Sequence, residues 1–122
     1  MIGSLMMCVS VVVLVAGMLA GIAMGISQNF TLAPAHAHLN LIGGVLLFLF
    51  GLYYRMIPQA GTTVLAKVQG WLHIAGAMLF PAGVVVVLTK GPAFEAAPIA
   101  GALTVVAAMT LFAVIVFRTS RA

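Results

Sequence analysis

The stretch LAPAHAHLNLIGGVLLFLFGLYY spans residues 32–54 and combines a long apolar run with two histidines, His36 and His38, near its start. A helix needs about 20 apolar residues to cross the hydrocarbon core of a bilayer, and this stretch is long enough. Ionisable side chains are costly in hydrocarbon and therefore usually mark a site. The stretch thus predicts a transmembrane helix with a ligand site close to one end.

Three further apolar segments of similar length complete the chain, at residues 2–24, 64–88 and 94–117. Turn-forming residues separate the four segments at 27–29, 58–62 and 90–92. Because the connections are short, neighbouring helices are expected to be antiparallel. We therefore predict an all-α integral membrane protein, a single domain over residues 1–122, with four helices running up and down. No positive charge precedes the first segment, which is also too long for a cleaved signal peptide, so we expect a retained helix.

The composition excludes a water-soluble domain. Only 5% of the 122 residues are charged and 65% are hydrophobic, whereas a soluble domain carries roughly 25% charged residues. The net charge of +4 comes from basic residues scattered at helix ends, so nucleic acid is not an expected partner. Cys8 is the only cysteine, which excludes a disulfide or a cysteine metal site within one chain. Membrane lipid is the expected environment.

The basic residues also predict an orientation. Four of them fall on one side of the four-helix arrangement: Arg55, Lys67, Arg118 and Arg121. Lys90 and the only acidic residue, Glu95, fall on the other. Cytoplasmic loops carry the excess of lysine and arginine, so both termini are predicted to be cytoplasmic. His36 and His38 then lie near the outer face.

The first helix carries glycines at every fourth position, at Gly17, Gly21 and Gly25. Small residues at this spacing let two helix backbones approach closely in lipid. We interpret them as a packing face without chemistry of its own.

Helical geometry separates the two neighbouring histidines. Residues two apart point about 200° apart around a helix, so His36 and His38 cannot easily bind one metal ion from the same chain. His36 shares a helix face with Asn40 and Gly43, and Gly43 with Gly44 leaves room for a flat ligand or a close helix. Asn40 is a candidate to bond a cofactor or a neighbouring imidazole, or to join two helices. The histidine pair is equally open to a plain interfacial role.

His73 is the third histidine and lies deeper. It is 17 residues before Lys90, hence roughly 25 Å from that end of its helix at about 1.5 Å per residue. It should therefore lie about 10 Å or more below the pair. The alternatives for His73 are a buried imidazole bonded to Gln69 or a neighbouring helix, and a second metal site or proton relay.

The stretch Pro34-Ala-His-Ala-His-Leu-Asn-Leu-Ile-Gly-Gly, followed by Phe50-Gly-Leu-Tyr-Tyr-Arg55, resembles the histidine-bearing helices of heme–copper oxidase and nitric oxide reductase catalytic subunits. It looks most like small four-helix bacterial membrane proteins related to those subunits. The resemblance covers roughly residues 25–90. It implies a fold like one four-helix arc of the large subunit, which has three such arcs, and a location in the bacterial inner membrane.

The resemblance also implies a cofactor and an assembly. A homotrimer would reproduce the three arcs, and His36 of one chain with His38 of the next would hold a b-type heme between two imidazoles. Lys90 is the matching partner for a heme propionate, although a lysine that merely reaches the membrane surface fits as well. The family's copper centre needs adjacent histidines that are absent here, and the eight methionines form no cluster, so copper is not expected.

Three classes of function follow from these observations. The leading one is a heme-binding membrane protein for electron transfer or for binding a diatomic gas such as nitric oxide or oxygen. This would be an oxidoreductase-like protein without a complete heme–copper site, so enzymatic turnover stays open. The alternative is a heme-free structural or assembly subunit of a respiratory complex. A small oligomeric transporter or channel is the third, and the lack of a charged residue in the middle of a helix disfavours ion coupling.

Overall fold

The computed structural model describes residues 1–121, and this part of the chain consists of helices joined by short connections, without strands. Four helices are long and apolar enough to cross a membrane. They are α1 (Ile2–Ser27), α2 (Ala33–Met56), α3 (Val64–Lys90) and α4 (Ala96–Ser120). A short helical turn, Pro58–Gly61, precedes α3, and a 3₁₀ turn, Pro92–Phe94, precedes α4. The prediction of an all-α chain with four membrane-spanning helices is confirmed at this level.

The helix ends lie up to three residues away from the predicted ones. α1 continues to Ser27 and ends at Gln28, which adopts the left-handed conformation with φ 54°. α3 begins after Thr63, whose hydroxyl accepts a hydrogen bond from the Ala66 amide at 3.1 Å. Gly91 ends α3 with φ 103°, a conformation that favours glycine.

Helix α2 is not a uniform α-helix. Its first six residues, Ala33–His38, are α-helical, and residues Leu39–Leu46 form a π-helix before the α-helix resumes over Leu47–Met56. The apolar pattern of this span predicts a helix but does not distinguish a π-helical segment from an α-helical one. π-Helical segments are wider than α-helical ones and frequently occur at functional sites. The segment that follows His38 therefore makes the region around this histidine a candidate functional site.

The helices pack mainly as neighbours in sequence. The closest packing is between α1 and α2 and between α3 and α4, and α2 also packs on α3. α1 and α4, by contrast, have almost no close backbone approach within residues 1–121. The four helices therefore form an open arc with α1 and α4 at its edges.

The burial pattern of the two edge helices fits this arrangement. In α4 the buried residues are Gly101, Ala108 and Ile115, one narrow stripe at seven-residue spacing. In α1 no residue beyond Gly17 is buried. The last third of α1 is therefore only loosely covered by the rest of the chain.

We call the end at which α1 and α3 begin the basic end, because Arg55, Lys67, Arg118 and Arg121 lie there. The opposite end, with His36 and His38, is the histidine end. The main core cluster lies toward the basic end and includes Met6, Leu47, Phe50, Tyr54 and Ile115.

Tyr54 belongs to this core and not to an interfacial belt. Tyrosines at the end of an apolar span are typical of the membrane interface, but Tyr54 is 1% exposed. Its hydroxyl donates a hydrogen bond to Gln69 Oε1 at 2.8 Å, and Gln69 Nε2 donates to the Ala108 carbonyl at 3.3 Å. This buried chain of hydrogen bonds joins α2, α3 and α4.

Candidate functional site

His36 and His38 face different helices. A Cβ added to Gly21 of α1 would lie 3.2 Å from His36 Nε2, so the His36 ring abuts α1. The His38 ring packs edge-on against Phe80 of α3, with ring centroids 4.7 Å apart and an interplanar angle of 72°. One metal ion therefore does not receive both imidazoles from the same chain.

His38 is held in an orientation that suits a ligand. Its Nδ1 lies 2.7 Å from the Pro34 carbonyl oxygen. Because a carbonyl only accepts, Nδ1 carries the hydrogen, and the lone pair is on Nε2. Histidines that bind metals commonly donate their other ring N–H to such an acceptor, which fixes the tautomer and the ring orientation. His38 is half-buried, and no hydrogen bond to its Nε2 is seen within residues 1–121.

Asn40 supports His36 from one turn further along α2. Its Nδ2 lies 3.3 Å from His36 Nε2. Its Oδ1 is buried and has no hydrogen-bond partner among the described residues. The amide fits against α1 because residue 17 is a glycine, whose added Cβ would overlap Asn40 Oδ1. Asn40 therefore both meets an imidazole and joins two helices.

An apolar cavity of about 510 Å³ lies beside His36, between α1, α2 and α3. His36 is its only titratable lining residue. The walls are small or flexible apolar side chains: Ala20, Ala23 and Met24 of α1, Leu32, Ala35 and Leu39, and Met78, Pro81, Ala82 and Val85 of α3. This volume lies within the range of cofactor and small-molecule sites, about 300–1,000 Å³.

The residues around this cavity fit a flat apolar cofactor with an axial imidazole, with one adjustment. In the single chain His36 Nε2 points at Gly21 rather than into the cavity. The ring must rotate about its Cα–Cβ bond and leave Asn40 before Nε2 can bind a ligand in the cavity. Such a rotation between staggered conformers is ordinary for a half-buried side chain.

Gly43 and Gly44 of α2 lie deeper than this cavity, and side chains of neighbouring helices fill the space beside them. A Cβ on Gly43 would meet Val13 of α1 at 3.2 Å and Met78 of α3 at 3.4 Å. A Cβ on Gly44 would overlap the Leu14 side chain. The sequence left two uses open for Gly43 and Gly44, room for a flat ligand or close approach of another helix. In the single chain these glycines allow the close approach of another helix.

His73 is fully buried at the level of the π-helical segment, near the middle of the molecule. Its Nε2 donates to the Ile42 carbonyl at 2.9 Å, and its ring packs edge-on against Phe50 with centroids 4.8 Å apart. Its Nδ1 is buried without a partner among residues 1–121. Of the partners considered from the sequence, His73 bonds the neighbouring helix, whereas Gln69 bonds Tyr54 and Ala108.

Lys90 lies in the last turn of α3 and is exposed. It is five residues beyond Val85, the last cavity residue of α3, or about 7.5 Å along the helix axis. The structure thus places Lys90 at the same end as the cavity but outside its lining.

No group of three or more histidine, cysteine or acidic side chains comes together anywhere in residues 1–121. A site built entirely from protein ligands is therefore not seen within one chain. Axial ligation of heme iron takes only one or two side chains and needs no such group.

Sequence reasoning missed the residues that shape the cavity. Phe80 positions the His38 ring, and the alanines Ala20, Ala23 and Ala82 create the space beside His36. Small residues in α1 were interpreted as a packing face only. Their clustering opposite a histidine could have indicated space for a ligand, but only with the register between the helices known.

Comparison with known proteins gives no family model that matches this chain, and neither a curated protein nor a solved structure that is similar to it.

Proposed function

We propose that this chain is a heme b-binding membrane protein that works as a homotrimer, with each heme held by His36 of one chain and His38 of the next. Its activity would be electron transfer or the binding of a diatomic gas. The observation that carries the proposal is the cavity of about 510 Å³, which is apolar except for a single imidazole, that of His36. Apolar pockets with few polar groups are the usual form of cofactor sites.

The geometry of His38 is the second support. Its Nδ1–H donates to the Pro34 carbonyl at 2.7 Å, which leaves Nε2 as the coordinating atom. Since His38 faces α3 while His36 faces α1, the two imidazoles can serve two different hemes. This agrees with the resemblance to the histidine-bearing helices of heme–copper oxidases.

The open arc leaves both edge helices free for contact with further copies, which the family resemblance implies. α1 and α4 leave long apolar surfaces uncovered, including Val15, Leu19 and Ile22 on α1 and Leu103 and Val106 on α4. A ring of three arcs would cover such edges and place His38 of one chain beside the cavity of another. Cytoplasmic termini and the bacterial inner membrane are part of the same proposal.

A bound heme, held by His36 of one chain and His38 of the next, would supply an iron that exchanges one electron or takes up a diatomic gas. The chain's own residues orient the ligands and exclude water. The Pro34 carbonyl fixes the His38 tautomer, Phe80 holds its ring, and the cavity wall beside His36 is apolar.

The first test is the absorption spectrum of the purified protein and its histidine variants, expressed with heme supplied. We expect a Soret band that is lost in His36→Ala and in His38→Ala but kept in His73→Leu. Carbon monoxide added to the reduced protein would shift the band if one axial position is open. If both single variants keep the full band, the proposed site is wrong.

Coexpression of the two variants tests whether the site is shared. Chains with His36→Ala still carry His38, and chains with His38→Ala still carry His36. If chains associate at random in a trimer, about one site in four joins the two intact histidines, so about a quarter of the heme returns. If no heme returns when the two variants are coexpressed, the site is not shared between chains. Native mass spectrometry of the assembly separately tests whether it contains three chains.

A heme-free structural or assembly subunit is the second candidate, and one observation favours it. In the single chain the Nε2 atoms of two imidazoles already have protein neighbours: Asn40 for His36 and the Ile42 carbonyl for His73. A colourless protein that stays colourless with added heme would support this function over the first.

A further inference from the structure

The basic end contains a cleft with a polar rim and an arginine at its edge. It measures about 360 Å³ and lies where the start of α3, with the turn before it, meets the end of α4. The lining residues are Gln59, Ala60, Thr63, Leu65, Ile115, Arg118 and Thr119. Arg118 also borders an adjoining hollow of about 280 Å³, which it shares with Arg121, Val114 and Phe117. One guanidinium therefore borders two hollows.

The chain supplies no acidic side chain to this end. The only one, Glu95, lies at the histidine end, directly before α4. Of the three arginines, Arg55 already donates to Ser4 Oγ at 2.6 Å. Among residues 1–121, Arg118 and Arg121 are the arginines without a hydrogen-bond acceptor, and both are exposed.

The hydrogen-bonding groups of the rim narrow the chemistry of that anion. The hydroxyls of Thr63 and Thr119 already donate to the carbonyls of Ala60 and Ile115, each at 2.8 Å. Gln59 and Arg118 are thus the side-chain donors that face the cleft with hydrogens to offer. A guanidinium binds phosphate oxygens in a two-point manner, whereas an amide suits a hydroxyl or ester oxygen.

The walls below this rim are apolar. Leu65 and Ile115 line the cleft, and Val114 and Phe117 line the adjoining hollow on the exposed side of α4. A cation at the end of a membrane-spanning helix, with apolar walls leading away from it, matches a molecule with a phosphate head and hydrocarbon tails. A small water-soluble phosphate would use the rim and leave these walls uncovered.

We propose that this cleft binds the headgroup of an anionic phospholipid, with its phosphate on Arg118 and its acyl chains along Val114 and Phe117. Arg121 adds attraction from the adjoining hollow. Basic pockets at the ends of membrane helices commonly hold such headgroups. The site is at the opposite end from the histidines and does not depend on heme binding.

The test is lipid retention measured by native mass spectrometry after reconstitution in nanodiscs of phosphatidylcholine with a minor fraction of phosphatidylglycerol. We expect Arg118→Gln to lower the affinity for retained phosphatidylglycerol about fivefold, the effect of one basic residue near a membrane surface. Arg121→Gln should have a smaller effect. Lys67→Gln is the matched control, because Lys67 lies at the same end and is exposed but does not line the cleft.

Two results would overturn the proposal. One is retention that is the same in the Arg118→Gln and original proteins, or lowered equally by Lys67→Gln, which would indicate only diffuse surface charge. The other is displacement of the lipid by an equal concentration of glycerol 3-phosphate, which would indicate a site for a soluble phosphate ester. If Arg118→Gln does not fold by circular dichroism, Arg118→Lys takes its place. That variant keeps the charge but loses the two-point hold, and should retain less lipid than the original.

Discussion

At the scale of single residues, the glycines of α1 decide how closely the polar atoms of α2 approach. Gly17 faces the Asn40 amide and Gly21 faces the His36 ring, whereas Gly25 has nothing within 4 Å. The sequence predicted a packing face from the four-residue spacing of these glycines. Which glycine meets which polar group could not be predicted, because this depends on the vertical register between two helices that hydropathy leaves undetermined.

Gly17→Ala and Gly25→Ala form a matched pair that tests whether Gly17 contacts Asn40 while Gly25 has no such contact. In Gly17→Ala the new methyl group would overlap Asn40 Oδ1, so the amide or the helix must shift. Overpacking of this kind costs about 1–3 kcal/mol, and we expect a loss of that size in the free energy of unfolding. Gly25→Ala should cause no loss. Unfolding in mixed micelles, followed by circular dichroism, measures both, and equal stabilities would contradict the assigned contact.

At the scale of the helical elements, the π-helical segment Leu39–Leu46 is the main departure from what the sequence suggests. Apolar patterning predicted a helix over this span, and a helix is there, but its local winding was not predictable. The wider turn occurs where the Ile42 carbonyl accepts a hydrogen bond from His73 Nε2 of α3, at 2.9 Å. A hydrogen bond between residues 31 positions apart leaves no trace in local sequence propensity.

His73→Leu tests whether this bond is structural. The Ile42 carbonyl would lose its partner from α3, and hydrogen bonds between membrane helices contribute about 0.6–1.7 kcal/mol. We expect the free energy of unfolding to fall by that amount, with the heme and metal content unchanged. Ala75→Leu, an exposed change on the same helix, is the control. A loss of bound iron or copper without a loss of stability would instead assign His73 to a second metal site.

At the scale of the whole molecule, the number of membrane-spanning helices could be predicted because hydropathy and length alone determine it. The open arc could not be predicted, because lipid-facing and partner-facing surfaces are equally apolar in a membrane protein. The same reason explains why the cavity beside His36 was not predicted. Its small wall residues are visible in the sequence, but that they lie opposite His36 depends on the packing of α1 and α3 against α2.

The orientation of the arc is open to a direct measurement. In a Cys8→Ser background, a cysteine is placed at Glu95, at the histidine end, or at Thr62, at the basic end; both positions are exposed. The excess of basic residues predicts that the basic end is cytoplasmic. A maleimide that does not cross membranes should label Glu95→Cys in intact cells and Thr62→Cys only after permeabilisation. The reverse pattern would invert the orientation.

The loose last third of α1 has a consequence for how any apolar molecule reaches His36. The cavity lies between α1 and α3, and the alanines of its wall, Ala20, Ala23 and Ala82, are exposed. In a single chain this opening lies on the side of two helices that are long and apolar enough to cross a membrane. Apolar molecules would therefore dissolve in the bilayer first and arrive by diffusion in two dimensions. Occupancy would then follow the mole fraction of the molecule in the lipid and not its concentration in water.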